Sequence, residues 1–153
     1  MRISWVVVST MLMVGGGAGQ QSTSAPPESG PAKVVAAASS RKVAATVSSV
    51  LSARCKDLAE QSGSKHLAVA LDPLVADTSA DADNALAALA GYYLGEEGTL
   101  RVGGAVIHRG KRMIPLLDRY AKLAPVVALP CKDQLQGERW RRAVYKSLRG
   151  SIE

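Results

Sequence analysis

The side chains best suited to binding chemistry are four cations near the carboxyl end of the chain. They recur at intervals of three and four residues, at Arg139, Arg142, Lys146 and Arg149. On a helix this spacing gathers them on one face. Such a face can contact an acidic protein groove, an anionic lipid headgroup or nucleic acid, or can simply be solvated. Nucleic acid is the weakest of these readings, because Tyr145 is only adjacent to the face and no aromatic residue lies within it to stack on a base.

A second cationic cluster, RGKR, occupies residues 109–112 beside His108. The pattern predicts the beginning of a helix here, where positive charge opposes the helix dipole. Together with the free N–H groups of a helix start, these cations could hold an anion or a carboxylate, and a solvated turn is the alternative. We therefore group Arg109, Lys111 and Arg112 with the basic face as candidate partner-binding residues.

Charge is distributed unevenly along the chain. Residues 20–100 carry six Lys or Arg against nine Asp or Glu, a net charge of −3, whereas residues 101–153 carry twelve against four, a net charge of +8. Asymmetry of this size between two halves indicates an acidic partner or surface for the basic half.

Residues with catalytic potential are few. His66 and His108 are the only histidines, and the sequence has neither a G-x-S-x-G nor an H-E-x-x-H motif. Asp57 and Glu60 form a carboxylate pair that could in principle do acid–base work, but nothing nearby predicts the burial that would tune it. We assign no catalytic residue and no cofactor.

Three acidic residues, Asp77, Asp81 and Asp83, resemble the start of a calcium-binding loop. The glycine and the glutamate that such a loop needs at its sixth and twelfth positions are both missing. We interpret these residues as helix-capping groups and assign no metal site.

The two cysteines, Cys55 and Cys131, are predicted to form a disulfide. The bond would close a long loop and contribute on the order of 4 kcal/mol in the chain-entropy model. A metal site would need more Cys or His at short spacing, and a catalytic thiol would need a nearby histidine.

The amino terminus has the order of a secretory signal peptide. Arg2 precedes an apolar run from Ile3 to Val14, and Gly17 and Gly19 suit cleavage before Gln20. The alternative is a retained membrane anchor, although the run is shorter than the roughly 20 residues that span a bilayer. We predict a signal peptide over residues 1–19, a flexible Pro/Ser-rich leader over 20–31, and a single helical domain over 32–153.

The composition of that domain predicts an all-α fold. Phe is absent, and segments rich in Ala and Leu with helical periodicity favour helices over strands. We expect a small bundle of about five helices clipped by one disulfide. The predicted helical segments are 41–61, 66–76 interrupted at Pro73, 79–94 ended by Gly95, 99–108, 113–124 and 136–150.

The same periodicity predicts which side chains face the core. In the first helix these are Ala44, Val47, Leu51, Cys55 and Leu58, and in the helix over 79–94 Tyr93 joins the apolar stripe while Tyr92 points away from it. In the helix over 99–108, Leu100, Gly103, Gly104 and Ile107 share one face, and in the last helix Trp140, Val144 and Leu148 align on one face. The paired glycines would let a neighbouring helix approach closely.

Within residues 79–123, the stretch RGKRMIPLLDRYAKL resembles the helix-to-helix junction of HEAT-type repeats. In that junction a glycine precedes a basic residue and a Pro-Leu-Leu helix start. The resemblance covers about 45 residues and one helix pair, whereas a solenoid needs about three repeats. It implies helical-hairpin packing and nothing about function.

These features together predict an exported, non-enzymatic binding protein that contacts an acidic protein through its basic C-terminal half, such as a periplasmic inhibitor or an immunity-type protein. One alternative is an envelope-surface protein that binds anionic lipid. Another is an enzyme with an unfamiliar site, which would place His66 or His108 beside a carboxylate in a cleft. We assign no oligomeric state.

Overall fold

Helices form nearly all of the described chain. The computed structural model describes residues 31–123, 125–128, 131 and 138–153, with side chains from residue 39 onward. The helices are α1 (Pro31–Glu60), α2 (Lys65–Ala76), α3 (Ala80–Leu89), α4 (Gly95–Arg109), α5 (Ile114–Lys122) and α6 (Glu138–Ile152), and a short 3-10 turn (Gly110–Met113) joins α4 to α5. No strand occurs in these ranges, which confirms the all-α prediction.

Two compact units divide the chain, Met1–Val35 and Ala36–Glu153. The predicted signal peptide and all of the predicted leader except Pro31 lie outside the described residues. Pro31 itself is the first residue of α1. None of the described helices has the length and apolarity needed to cross a bilayer.

Helix α3 lies at the centre of the second unit. Seven of its ten residues are buried, among them Ala85, Leu86, Ala87 and Leu89 at 0% exposure. A helix that is apolar on nearly all sides must be surrounded by neighbours, and α3 contacts α2, α4 and α5. The consecutive pair α5/α6 is also in contact. At the RGKR junction, to which the HEAT-type resemblance applies, α4 and α5 each contact the 3-10 turn that joins them.

The core-facing positions of α1 agree with the prediction at Val47 and Leu51, which are buried. At Leu58 the prediction was wrong: this side chain is 39% exposed, and the buried residue beside it is Asp57, at 1%. The physical reason is that the Asp57 carboxylate supplies hydrogen bonds that no apolar side chain could supply.

Asp57 caps the start of α2, although it belongs to α1. Its Oδ1 accepts the backbone N–H of His66 at 2.8 Å, and its Oδ2 accepts that of Leu67 at 2.8 Å. Ser64, the residue in the capping position, makes no side-chain cap of its own. Burial by itself raises the pKa of Asp57, but these two bonds and a third from the Ser62 hydroxyl hold the pKa below its ordinary value. The carboxylate therefore stays ionised in the interior.

The junction between α3 and α4 differs from the prediction. Helix α3 ends at Leu89 and not at Leu94, and Gly95, which was predicted to end α3, is the first residue of α4 with φ at +77°. The irregular residues between the helices direct Tyr92 and Leu94 into the core, where they are 6% and 0% exposed. A continuous helix could not bury both side chains on the same side as the α3 core residues. Tyr92, predicted to point away, is thus the buried member of its pair.

The predicted disulfide between Cys55 and Cys131 is present, with Cα atoms 5.7 Å apart across 76 residues of sequence. It joins α1 to the segment before α6. A second contact holds the chain just before this bond, because the Tyr92 hydroxyl donates to the carbonyl of Val127 at 2.6 Å and accepts its N–H at 3.1 Å.

Replacing Asp57 with Asn should lower the free energy of unfolding by about 2 kcal/mol, because a charge-assisted cap becomes a neutral amide that keeps one acceptor oxygen and places its NH2 donor against the other backbone N–H group. The decrease in the free energy of unfolding caused by D57N should be smaller in acid. The pKa of Asp57 is lowered on folding from 3.8, so its contribution is complete above that value and disappears as the pH falls through the lowered pKa.

Urea unfolding between about pH 2 and pH 7 measures both effects. The exposed Asp72, which pairs with Arg101 at the surface, provides the matched control variant D72N. An equal response of D57N and D72N would contradict the assigned role of Asp57.

Candidate functional site

The four cations predicted from the sequence form one exposed row on α6, which we call the basic stripe: Arg139, Arg142, Lys146 and Arg149. All four residues are exposed, and the side chains of Arg142 and Arg149 are 69% and 46% accessible. The helix therefore presents positive charge along about three turns of its outer surface.

The opposite side of α6 is anchored in the core by Tyr145 and Leu148, which are 2% and 9% exposed. The Tyr145 hydroxyl donates to the carbonyl of Ala87 at 2.9 Å, at the end of α3. Burial raises the pKa of Tyr145 to about 12, so the phenol remains a hydrogen-bond donor across the physiological range. This anchor fixes the rotation of α6 and hence the direction in which the basic stripe faces.

A further arginine outside the stripe, Arg141, also anchors α6. Its guanidinium donates to the carbonyl of Tyr120 at the end of α5 at 2.9 Å and lies over the ring of Tyr145. Space for this contact comes from Gly91, where a Cβ atom would lie 2.8 Å from both the Arg141 Nε and the Tyr145 Oη atoms. Arg141 is therefore a structural residue, whereas the next residue, Arg142, faces solvent.

Two of the stripe residues have acidic neighbours. Arg142 pairs with Glu138 one turn earlier, and Arg149 lies 3.3 Å from Asp118 of α5 and 3.1 Å from Glu153. Exposed pairs of this kind contribute little to stability. Within the described part of the chain, Arg139 and Lys146 form no ion pair, so they leave positive charge available to a partner.

The RGKR cluster does not act as one surface. The Arg109 side chain is only 5% exposed and pairs with Asp83 of α3. Its guanidinium also donates to the carbonyls of Leu74, Val75 and Asp77 at the end of α2, at 3.2, 3.1 and 2.5 Å. Positive charge at the end of a helix is favourable. We therefore remove Arg109 from the candidate partner-binding residues, because its charge is used inside the fold.

The other two cations of the cluster remain at the surface. Arg112 is 48% exposed, and its Nε atom lies 3.1 Å from Asp83, whose carboxylate is thus held between two arginines. Lys111 is exposed and forms no ion pair with the described residues. Arg109 does not oppose a helix dipole, because this cation lies at the carboxyl ends of α2 and α4 and not at a helix start.

One histidine does lie beside a carboxylate, as the enzyme alternative requires. The Nε2 atom of His66 is 2.6 Å from Oε2 of Glu60, and this hydrogen bond holds the pKa of Glu60 below its ordinary value. Both side chains are at the surface, and neither lines the grooves beside α1 or between α4 and α6. The nearby Ser62 hydroxyl donates to Asp57 at 2.7 Å. These contacts join α1 to α2 and do not form a nucleophile–base arrangement.

The acidic residues once compared with a calcium loop have separate structural partners. Asp77 accepts the N–H of Ser79 at 2.8 Å, Asp81 lies 3.5 Å from Lys42, and Asp83 binds the two arginines. Among the described residues, no group of three or more His, Cys, Asp or Glu side chains is placed to hold a metal ion.

Sequence reasoning missed Tyr145 and Arg141 because it aligned Trp140, Val144 and Leu148 as the buried face. Trp140 and Val144 are only partly buried, and Trp140 packs edge-on against Tyr93 with ring centroids 6.3 Å apart. An available signal was the spacing 141, 145, 148 and 152, which follows a helical stripe as well as the chosen one.

The chain matches no protein-family model, and no curated protein or solved structure is significantly similar to it. Its function is therefore argued from its own residues.

The two classes of cation in the RGKR cluster should respond differently to mutation. Arg109→Ala should lower the free energy of unfolding by about 3 kcal/mol, because Asp83 and three helix-end carbonyls lose a buried donor. Lys111→Ala should change it by less than about 0.5 kcal/mol, as is usual for exposed positions. Equilibrium urea unfolding of both variants distinguishes them. If R109A has the same free energy of unfolding as the unmodified protein, Arg109 does not have this structural role.

Proposed function

We propose that this protein is an exported, non-enzymatic binding protein that receives an acidic protein surface on the basic stripe of α6. The observation that carries the proposal is the separation of roles on this helix. Tyr145 and Arg141 hold the helix in place, while Arg139 and Lys146 make no ion pair with the described chain. A rigid row of partly uncompensated cations favours fast and selective association with a complementary acidic partner.

A protein partner fits the stripe better than the other anionic surfaces. Amphipathic helices that bind membranes insert their apolar face into the lipid. On α6, Tyr145 and Leu148 are buried in the core, and Trp140 and Val144 are partly buried. A single-stranded nucleic acid would favour aromatic side chains among the cations, and the stripe contains none. The basic stripe is therefore best matched by the carboxylates of a folded protein.

Export is the second part of the proposal and rests on two independent features. The first is the order of charged, apolar and small residues over 1–19. The second is the Cys55–Cys131 disulfide, a bond that persists in oxidising compartments and is rare where thiols are kept reduced. An exported binding protein without a catalytic set matches the profile of a periplasmic inhibitor or an immunity-type protein, in which occlusion of the partner is itself the activity.

Partner capture tests the binding proposal. The full chain, tagged after Glu153 through a flexible linker, is expressed for export and cross-linked, and the bound proteins are identified. We expect one stoichiometric partner that dissociates as the salt concentration rises. The double reversal R139E/K146E should weaken its binding by about 100-fold, since each reversed contact costs on the order of 1–2 kcal/mol.

A matched control makes this test specific to α6. The variant R41E/K65E has the same total charge and alters two exposed residues on α1 and α2, neither of which forms an ion pair with the described chain. It should bind the partner as the unmodified protein does. Equal weakening by both double variants would mean that net charge, and not the basic stripe, governs binding. The absence of any partner would overturn the binding proposal.

Processing of the amino terminus tests export separately. Expression of the full chain in a bacterium with a periplasm should give a periplasmic protein that begins at Gln20, and intact-mass spectrometry measures this directly. A lysine within the apolar run, as in Leu12→Lys, should block processing and retain the chain in the cytoplasm. A full-length chain in the membrane fraction would instead support a retained anchor.

A further inference from the structure

The outer face of α4 is apolar and exposed, although the sequence predicted that a neighbouring helix would approach it closely. Leu100 is 70% exposed and Ile107 is 41% exposed, and the residues between them on this face are Gly103 and Gly104. The buried face of α4 is instead formed by Gly98, Val102, Ala105 and Val106. A shallow groove of about 220 Å³, which Val144 and Leu148 of α6 help to line, continues the exposed apolar surface. Leu100 and Ile107 are thus large side chains that the monomer leaves in water.

No contact among the described residues requires the glycine pair. A Cβ atom at Gly104 would meet nothing within 4 Å, and one at Gly103 would lie 3.5 Å from Leu148 Cδ2, an ordinary van der Waals distance. Glycine is among the least favourable residues in a helix. The described chain leaves room for a side chain at both positions. The missing side chains therefore make space for another molecule that packs against this face of α4.

The residues of this face are arranged symmetrically about the midpoint between Gly103 and Gly104. Leu100 and Ile107 lie at equal separations on either side of it. Exposed residues of opposite charge flank this face, with Glu96 in the first turn of α4 and Lys111 in the 3-10 turn just beyond its end. A two-fold axis that passes near this midpoint relates two antiparallel copies of the helix. Each residue on the face then lies beside the partner residue that is equally far from the midpoint on the other side. Two antiparallel copies would therefore place Leu100 beside Ile107 and direct Glu96 toward the partner's 3-10 turn, which carries Lys111, twice in each dimer.

We propose that the protein forms a homodimer in which two α4 helices pack antiparallel across their glycine pairs. Charge complementarity identifies a second copy as the occupant, since Glu96 at the start of α4 approaches Lys111, just beyond the end of α4, only when the partner helix runs in the opposite direction. Parallel packing would place Glu96 beside Glu96. The glycines permit close approach of the two helix backbones, and the exposed Leu100 and Ile107 side chains cover the gap from both sides.

The contact is small. A standard stable interface buries about 800 Å² on each partner, and one helix face with its adjoining groove presents less than that, so we expect a dissociation constant in the micromolar range. None of the four residues of the basic stripe lines the groove. The dimer and the proposed binding of an acidic partner therefore depend on different surfaces and can fail independently.

Sedimentation velocity on the protein purified from cells that express the full chain, with its disulfide intact, tests the dimer. The unmodified protein should shift from monomer to dimer between about 1 and 300 μM. Gly104→Gln should weaken the dimer at least tenfold, because a side chain fills the gap between the backbones. The same substitution should raise the thermal midpoint of the monomer, since glutamine is the better helix former.

Gly150→Gln is the matched control. Gly150 is also a helical glycine whose added Cβ would meet nothing within 4 Å, but it lies on α6. This variant should stabilise the monomer in the same way and leave the dimer unchanged. A protein that stays monomeric over the whole range, or a dimer that responds equally to G104Q and G150Q, would overturn the proposal.

Charge exchange tests the antiparallel register. E96K and K111E should each dimerise at least tenfold more weakly than the unmodified protein, because each homodimer has two contacts between like charges. An equimolar mixture of the two variants should recover the dimer, since every contact then joins opposite charges. Failure of the mixture to recover association would contradict this register, even if the unmodified protein is dimeric.

Discussion

Helix α2 is held at both ends by charged side chains of other helices, and the rest of the architecture depends on this constraint. A helix leaves backbone N–H groups unpaired at its start and carbonyl groups unpaired at its end. Asp57 of α1 accepts the N–H groups of His66 and Leu67, and Arg109 of α4 donates to three carbonyls near Ala76. A negative group at the start and a positive group at the end also match the helix dipole. The stability of α2 therefore depends on side chains that α1 and α4 supply.

Hydrogen bonds to the backbone at helix ends also fix the position of α6. Tyr145 donates to the last turn of α3, and Arg141 donates to the last turn of α5. Because these hydrogen bonds have definite directions, they set the rotation of α6 more strictly than apolar contacts would, since the hydrophobic effect is not directional. The exposure of the basic stripe is a consequence of how polar groups on the other side of the helix are satisfied.

Most helices could be predicted from sequence because apolar spacing repeats along them. The start of α3 at Ser79, the entry of Pro115 into the first turn of α5 and the cysteine pairing follow from local chemistry. The cross-helix caps could not be predicted in this way. Asp57 and Arg109 are charged, so a periodicity argument assigns them to solvent, and only the position of α2 reveals the backbone groups that they satisfy. The glycine pair of α4 misled the prediction for a related reason, since spacing identifies a face but not what covers it.

The separation of anchoring residues and exposed residues on α6 determines which substitutions this fold can accept. Its anchoring residues are linked to backbone atoms of α3 and α5, so a change at Tyr145 or Arg141 requires a compensating change elsewhere. The stripe residues make only surface pairs or none with the described chain, and substitutions among them leave the core untouched. A lineage built on this fold can therefore acquire new charge patterns, and with them new partners, while the helices keep the same arrangement.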